Sequence, residues 1–533
     1  MSAKMSAKAT AFDWITRHRN DWSDWSHTIW QFGETAWREY RSAAWYVERL
    51  KAEGFEVEAG SAGMPTAFAA TWENGAGPVI AGYGEYDGIP GNCQAADTVE
   101  RPRDGLSVHA GGHTDPHSAL GISSLAGFLA AKSAMQRHDI KGRLKFFGEP
   151  AEKVRGSKPI HAARGYYDGL DAAISFHPFY MLPLCNTVRW DTHCGAAYAM
   201  IYTFECARPE TWMTGAAASP IPASHADARA PGANDAVVQM YMDGKMLKEH
   251  ILSSGMSWSM NEAILTMGQA TADNIPAGLA QIQYIARVPT VAHAEHVAKA
   301  LDRIAETAAM RAHCTWRRDW VAKSRPGLAN HAMARATYAN LAAVGAPRFS
   351  GEAVEIAQRL QQRLGIAPMN EPFHPAISQL VAPETAEAAL RRMIPPSQEH
   401  FTSDDYTEFC WHCPTVRLYV GRPTLAPAPG RGAYPAWVMN ALGGIPATID
   451  PMIDTAARTI AATIVDLLSD EAILAAAKAE FIERTGGGIG GSKWIAPLCD
   501  YEPPIDFRWP EYVTTERGRD WVIPTPSPSG RRA

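Results

Sequence analysis

Hydrophobic positions change period several times along the chain, and each change predicts a different kind of element. Residues 12 to 53 carry large apolar side chains at helical spacing. Trp30 and Trp37 lie seven apart, with Ile29 and Trp45 near the same face, and KAEGF follows as a helix stop. An aromatic stripe of this period predicts a helix packed on the core. Three strand-like apolar runs come next: PVIAGYGEYDG (78–88), GRLKFFGEPAE (142–152) and LDAAISFHP (170–178). Each ends in polar residues, first Glu85 and Asp87, then Glu149 and Glu152, then His177. A helical stretch, SALGISSLAGFLAAKSAM (118–135), separates the first two. Strands alternating with helices predict an α/β fold with a central, mostly parallel sheet flanked by helices. Such sheets collect ligands beyond the carboxyl ends of their strands.

From 197 to 316 the pattern becomes strand, helix, strand, helix (AYAMIYTFEC, NDAVVQMYMDGKMLKEH, QIQYIARVPT, HAEHVAKALDRIAETAA). This predicts a smaller α+β unit of ferredoxin-like type inserted into the larger domain, whose two parts are then 1–196 and 317–533. The second part returns to long helices and one strand, CPTVRLYVG, before a proline-rich, charged tail after 495 that is expected to lie over the surface.

Composition removes several functions. A length of 533 residues with 46% hydrophobic content allows a sizeable core. The net charge of −6, with both signs mixed, offers no basic footprint for nucleic acid. No apolar run reaches the roughly 18 residues of a membrane span, and MSAKMSAKAT is not followed by an apolar stretch of the secretory type. Eight scattered cysteines are too dilute for a disulfide scaffold, and the CxxC of Cys410 and Cys413 lacks a second pair, so it reads as structural. A cytoplasmic protein is expected. The GGGIGG of 486–491 satisfies a dinucleotide-binding pattern only formally, since it follows a helix and precedes SKW.

The candidate chemistry lies in HTDPH (113–117). Divalent ions of the zinc or manganese type take imidazole and carboxylate ligands, usually three from the protein at a catalytic site. Asp115 and His117 stand two apart, so an extended segment would present both to one ion. His177 adds a third ligand from a strand end, and Glu152 on a neighbouring rim is placed to act as a base.

These residues follow one another in a familiar order. GEYDGIPG (84–91), the histidine-rich loop, GEPAEK (148–153), LDAAISFHP and PASHADARAPG (222–232) resemble the metallopeptidase and amidohydrolase family of carboxypeptidase G, aminoacylase and carnosinase. The similarity is closest to the branch of aminobenzoyl-glutamate and indole-acetyl-amino-acid hydrolases, and it covers nearly the whole chain. The resemblance implies a catalytic α/β domain, an inserted dimerisation domain and two metal ions. Against the branch pattern His-x-Cys-Gly-His, HAGGH (109–113) is the tempting match. Counting back from Leu120 and Gly121 instead aligns HTDPH, with Asp115 in place of the bridging cysteine and His117 as the last histidine. His113 then becomes a neighbour, and Asp87 a weaker candidate beside it.

Two family ligands are missing. Lys153 stands where the second glutamate of the pair belongs, and Pro435 where the late histidine belongs. In the family both serve the same ion. Their joint loss implies one labile divalent metal, manganese or zinc, held by Asp115, His117 and His177 with Glu152 as base. The Lys153 ammonium would take the charge position of the other ion. His225 matches a family histidine that reaches across the dimer to steady an oxyanion, and Arg287 and Asn234 are weaker candidates for substrate contacts. The expected reaction is hydrolysis of a C–N bond in a small aromatic carboxylate. Similarity to one branch activity points to deamination of 5-nitroanthranilate to 5-nitrosalicylate. The alternatives are an amidase of the aminobenzoyl-glutamate type and an inactive binding paralogue. The expected assembly is a homodimer or higher homo-oligomer formed through the inserted unit.

Overall fold

The computed structural model describes residues 3–179, 183–206, 231–251, 258–268, 276–430, 432–505, 511–515 and 518–522. Its tryptophan-rich start is three helices, Ala3–Arg17, Arg19–Phe32 and Tyr40–Ala52, not one continuous period. Gly33 ends the second helix in the left-handed region, at φ 53°, with its N–H on the carbonyl of Ile29. Glycine adopts that conformation without a Cβ penalty. Trp37 therefore lies beyond the helix that holds Trp30, and the two indoles enter the interior from different segments.

The strands of the large sheet are β1 (Glu56–Ala59), β2 (Phe68–Glu73), β3 (Val79–Gly84), β4 (Arg143–Gly148), β5 (Ala172–Phe179) and β6 (Thr187–Val188). A second sheet contains β7 (Ala196–Glu205), β8 (Ser259–Thr266), β9 (Leu279–Val288) and β10 (Thr315–Ser324). The chain then returns to the first sheet with β11 (Thr415–Gly421). The seven strands of the first sheet run in the order β1-β2-β4-β3-β5-β11-β6. Its centre is parallel: β3 pairs with β4 and β5, and β5 with β11. β1, β2 and β6 pair antiparallel at the edges. The parallel strands are apolar on both faces because helices cover both.

The helix His117–His138 packs along β3 and against Pro446–Ser469. Gly127 permits that approach, since a Cβ there would lie 2.8 Å from Ile460 side-chain atoms. By length and composition this 22-residue helix could cross a bilayer, yet 89% of its apolar window is buried in the chain's own core. It is an interior helix.

The second sheet has the order β10-β7-β9-β8 and is antiparallel throughout. Helices Ala233–Ile251 and Val291–Arg311 cover one face and close a separate core around Tyr198, Tyr202, Val237, Tyr284 and Leu301. The strand β10 carries this unit past 316 to Ser324. Both β8 and β10 contain polar stretches, Asn261 with Glu262 and Arg317 to Asp319, and are only partly buried, and so they lack the solid apolar runs of β7 and β9.

Candidate metal centre

The parallel strands deliver their polar ends to one rim. β3 runs out into Glu85 and Asp87, β4 into a turn holding Glu152 and Lys153, and β5 carries His177 near its end. The helix His117–His138 begins beside them, with His117 as its first residue and Asp115 in the turn before it. Its N-terminal dipole favours carboxylates there. The close fit depends on Gly121, one turn in: a Cβ at that position would lie 2.8 Å from the Glu85 carbonyl oxygen and 2.3 Å from Tyr46 Oη.

His117 is fully buried. Its Nδ1 lies 2.7 Å from Asp87 Oδ1, so the imidazole donates there and presents the Nε2 lone pair to the rim. His177 donates from Nδ1 to the Pro178 carbonyl at 2.6 Å and leaves its Nε2 3.3 Å from Asp115 Oδ2. Asp115 Oδ2 is also 3.6 Å from His117 Nε2. Two ligands each about 2.1 Å from a tetrahedral ion stand about 3.4 Å apart. The separations of Asp115 from His117 and from His177 match that edge, and all three donors suit a small divalent ion in chemistry.

Lys153 borders the same donors. Its backbone N–H donates to Asp87 Oδ2 at 2.8 Å, and its Nζ lies 2.9 Å from Asp115 Oδ2 and 2.8 Å from His117 Nε2. Glu152 Oε2 stands 3.5 Å from that ammonium and 3.6 Å from His117 Nε2, while its other oxygen pairs with Arg155. The turn is held in left-handed geometry at Ala151 (φ 57°) and Arg155 (φ 61°), the kind of local strain that concentrates at functional sites. Buried Glu39 secures it by accepting the Ala151 N–H at 2.7 Å.

The electrostatics are those of a cation site. Burial alone would raise the Asp115 carboxyl, but the His177 and Lys153 charges outweigh it and hold the group well below the usual range. Asp87 is lowered too: burial opposes the shift, and its bond to His117 with the nearby positive charges prevails. Burial and Lys153 would lower His117, yet its bonds to Asp115 and Asp87 push it up to about 9, so an ion binding at Nε2 displaces a proton.

Other sequence candidates fall elsewhere. Glu149 turns into the core, satisfied by Ser157, His161 and Tyr167 at 2.7, 2.8 and 2.7 Å. His113 is buried 3.3 Å from the Ile29 carbonyl, and burial, followed by the His117 and Arg103 charges, lowers it to about 3. It is a neutral neighbour of the cluster. Arg287, on β9, is lowered to about 10, first by burial and then by Arg155. That links β9 to the Glu152 turn. Asn234 opens the helix Ala233–Ile251, with a buried Oδ1 lacking a hydrogen bond. His225 lies outside the described residues. Pro435 is exposed and caps the helix Ala436–Gly444, lining with Thr114 a cavity of about 530 Å³. Gly486 terminates the helix Glu471–Thr485 in left-handed geometry, so the glycine run is a helix stop.

Three residues beyond those expected belong to the site. Arg155 holds the Glu152 carboxylate. Buried Arg422 approaches Asp115 Oδ1 at 3.6 Å and donates to the Thr114 carbonyl at 2.6 Å. Glu85 Oε2 lies 3.4 Å from His117 Nε2. Only Glu85 had a sequence signal, as a polar strand end two residues before Asp87.

The site is a set of strand-end carboxylates and imidazoles on a parallel sheet, with a second antiparallel unit inserted between its strands. The chain is 28% identical over 354 residues to a p-aminobenzoyl-glutamate hydrolase subunit of Escherichia coli (strain K12), covering 66% of this chain and 68% of that protein. Its fold matches the aminobenzoyl-glutamate utilization protein of Klebsiella pneumoniae with TM-score 0.50 at 13% identity, over 86% of this chain and 98% of that one. A dinuclear metal binding peptidase of the M20 family from Bacillus subtilis aligns with TM-score 0.46 at 14% identity, over 85% and 99% of the two chains. No family model matches the chain. These similarities agree with the resemblance to the metallopeptidase and amidohydrolase family that the sequence motifs carry.

Proposed function

We propose that the protein is a metal-dependent amidohydrolase of the aminobenzoyl-glutamate type, cleaving the amide of a small aromatic carboxylate. The observation that carries this reading is the convergence of Glu152 on the Asp115, His117 and His177 donors, with Glu152 Oε2 3.6 Å from His117 Nε2. Those three residues would hold one divalent ion, manganese or zinc, and Lys153 would supply positive charge where relatives place another. When bound, such an ion polarises a carbonyl and makes water a competent nucleophile near neutral pH. Glu152 takes the proton from the attacking water and returns it to the leaving nitrogen. Arg155 keeps that carboxylate oriented through its ion pair. Asp87 fixes the tautomer of His117. A cavity of about 660 Å³ reaches Lys153 from between the two sheets, lined by Ala36, Ile89, Val154, Ile264 and Leu265 with Arg38 at one side. Its apolar walls suit a planar ring and its guanidinium a carboxylate. His225 is proposed to steady the oxyanion from a partner subunit.

A second reading is favoured by one observation, the ammonium of Lys153 between Asp115 and His117. A single-ion site suits an ortho-amino aromatic acid such as 5-nitroanthranilate, which can chelate the ion while water replaces the ring amine as ammonia. Manganese- and zinc-loaded protein offered p-aminobenzoyl-glutamate and 5-nitroanthranilate separates the readings. Release of p-aminobenzoate supports the amidase, and ammonia with 5-nitrosalicylate moves the assignment to the aminohydrolase. If neither substrate turns over and Glu152→Ala changes nothing, the enzyme is an inactive relative. Two tightly bound ions per chain would remove the one-metal assignment.

A further inference from the structure

We propose that Glu85 is a fourth protein ligand of this metal centre, completing a set of two imidazoles and two carboxylates. The inference rests on the one-metal reading above. Glu85 leaves the end of β3 and is fully buried. Its Oε1 lies 2.7 Å from Lys158 Nζ, which also meets Asp405 Oδ1 at 2.7 Å. Its Oε2 accepts no hydrogen bond. That oxygen points instead at the cluster, 3.4 Å from His117 Nε2, and one donor atom from each of Glu85, His117 and His177 lies within 4.8 Å of the others.

A buried carboxylate oxygen without a partner carries its full desolvation cost. Lys158 relieves one oxygen and leaves the other to be neutralised. The separation from His117 Nε2 matches the edge of about 3.4 Å expected between two ligands on one tetrahedral ion. The separations involving Asp115, 3.3 and 3.6 Å, have the same size. Two carboxylates would also balance the charge of a dication. A second hard oxygen moves the preference of the site towards manganese. The competing account makes Glu85 only the salt-bridge partner of Lys158. Asp405 supplies the control, since it pairs with the same ammonium and with none of Asp115, His117 or His177.

Manganese and zinc dissociation constants, measured by chelator competition on the full chain, test the assignment. Glu85→Gln should weaken manganese at least tenfold, and manganese more than zinc, while the thermal midpoint of the metal-free protein is kept. Asp405→Asn should leave both constants within threefold of wild type. Glu85→Gln binding within threefold of wild type, or an equal loss in Asp405→Asn, overturns the assignment. If Glu85→Gln does not fold, Glu85→Gln with Lys158→Met is compared against Lys158→Met alone, with the same tenfold criterion. Asp115→Asn tests the parent reading separately: full affinity in that variant defeats the Asp115 centre whatever Glu85 does.

Discussion

Glu152 and Lys153 are sequence neighbours with opposite charges, and the turn gives them different tasks. Glu152 Oε2 faces His117 while its partner oxygen is held by Arg155, so substitution by glutamine preserves the shape and removes only the basicity. Glu152→Gln should lower kcat by about 10²–10⁴, the usual worth of a general base, with metal content unchanged by elemental analysis. A drop in bound metal equal to the loss of rate would make Glu152 a ligand instead. Lys153 acts in the other direction. Its ammonium lies 2.8–2.9 Å from two of the donors a dication would use, and a charge about 4 Å from an ion is worth a few kcal/mol in a partly screened site. Lys153→Met should tighten metal binding about tenfold or more while stoichiometry stays at one; weaker binding would show that the ammonium organises the donors. Glu152 and His177 were candidates in the sequence because each stands where an apolar run ends, and Asp115 and His117 because HTDPH packs imidazole and carboxylate into the turn before an apolar helix. Arg155, Arg422 and Glu39 were not legible. Each acts through a contact, to Glu152, Asp115 or the Ala151 N–H, that only the folded turn creates.

At the scale of elements, solid apolar runs were readable and half-exposed ones were not. β3, β4, β5, β7, β9 and β11 follow from the pattern, whereas β8 is only partly buried and interrupted by Asn261 and Glu262, and β10 carries Arg317, Arg318 and Asp319 in succession. The N-terminal helices mislead for a related reason: a heptad spacing of tryptophans survives a left-handed glycine that breaks the helix between them. The helix Pro446–Ser469 carries a further anomaly. Asp450 accepts a hydrogen bond from Ser23 at 3.1 Å, and burial pushes its carboxyl from 3.8 up to about 6. A pKa raised on folding means the native state binds that proton more tightly than the unfolded chain does. The resulting stability is complete below about pH 4 and is lost as pH rises through about 6, beyond which the buried charge is a cost. Asparagine keeps an acceptor without the charge. Asp450→Asn should therefore raise unfolding stability at pH 8 by up to about 3 kcal/mol, two units at 1.36 kcal/mol each, and by nothing near pH 4. Denaturant midpoints at the two pH values check this, and an equal effect at both would assign the gain to packing.

For the whole molecule, the second sheet leaves two features without a partner among the described residues. Helix Ala233–Ile251 buries Ala236, Val237, Met240 and Gly244, yet it also shows Val238, Met242 and Met246 at 49%, 56% and 58% exposure. Spaced four apart, these make a second apolar stripe facing outward. β8 is an edge of its sheet, with Ile264 exposed, and an open edge offers backbone donors and acceptors to another strand. A second copy related by a twofold axis would satisfy both, since an isologous contact sets stripe against stripe and edge against edge. The wild-type chain should sediment as a dimer, and Met242→Glu with Met246→Glu as a folded monomer. A monomeric wild type, or a variant that stays dimeric, would place the contact elsewhere. Dimerisation through this unit also bears on chemistry, because His225 is proposed to serve the partner's site. Mixing Glu152→Gln with His225→Ala then creates heterodimers in which one site has both defects and the other has neither. Remixed subunits should regain activity that neither homodimer has. If His225 acts within its own chain, every site keeps one defect and mixing restores nothing.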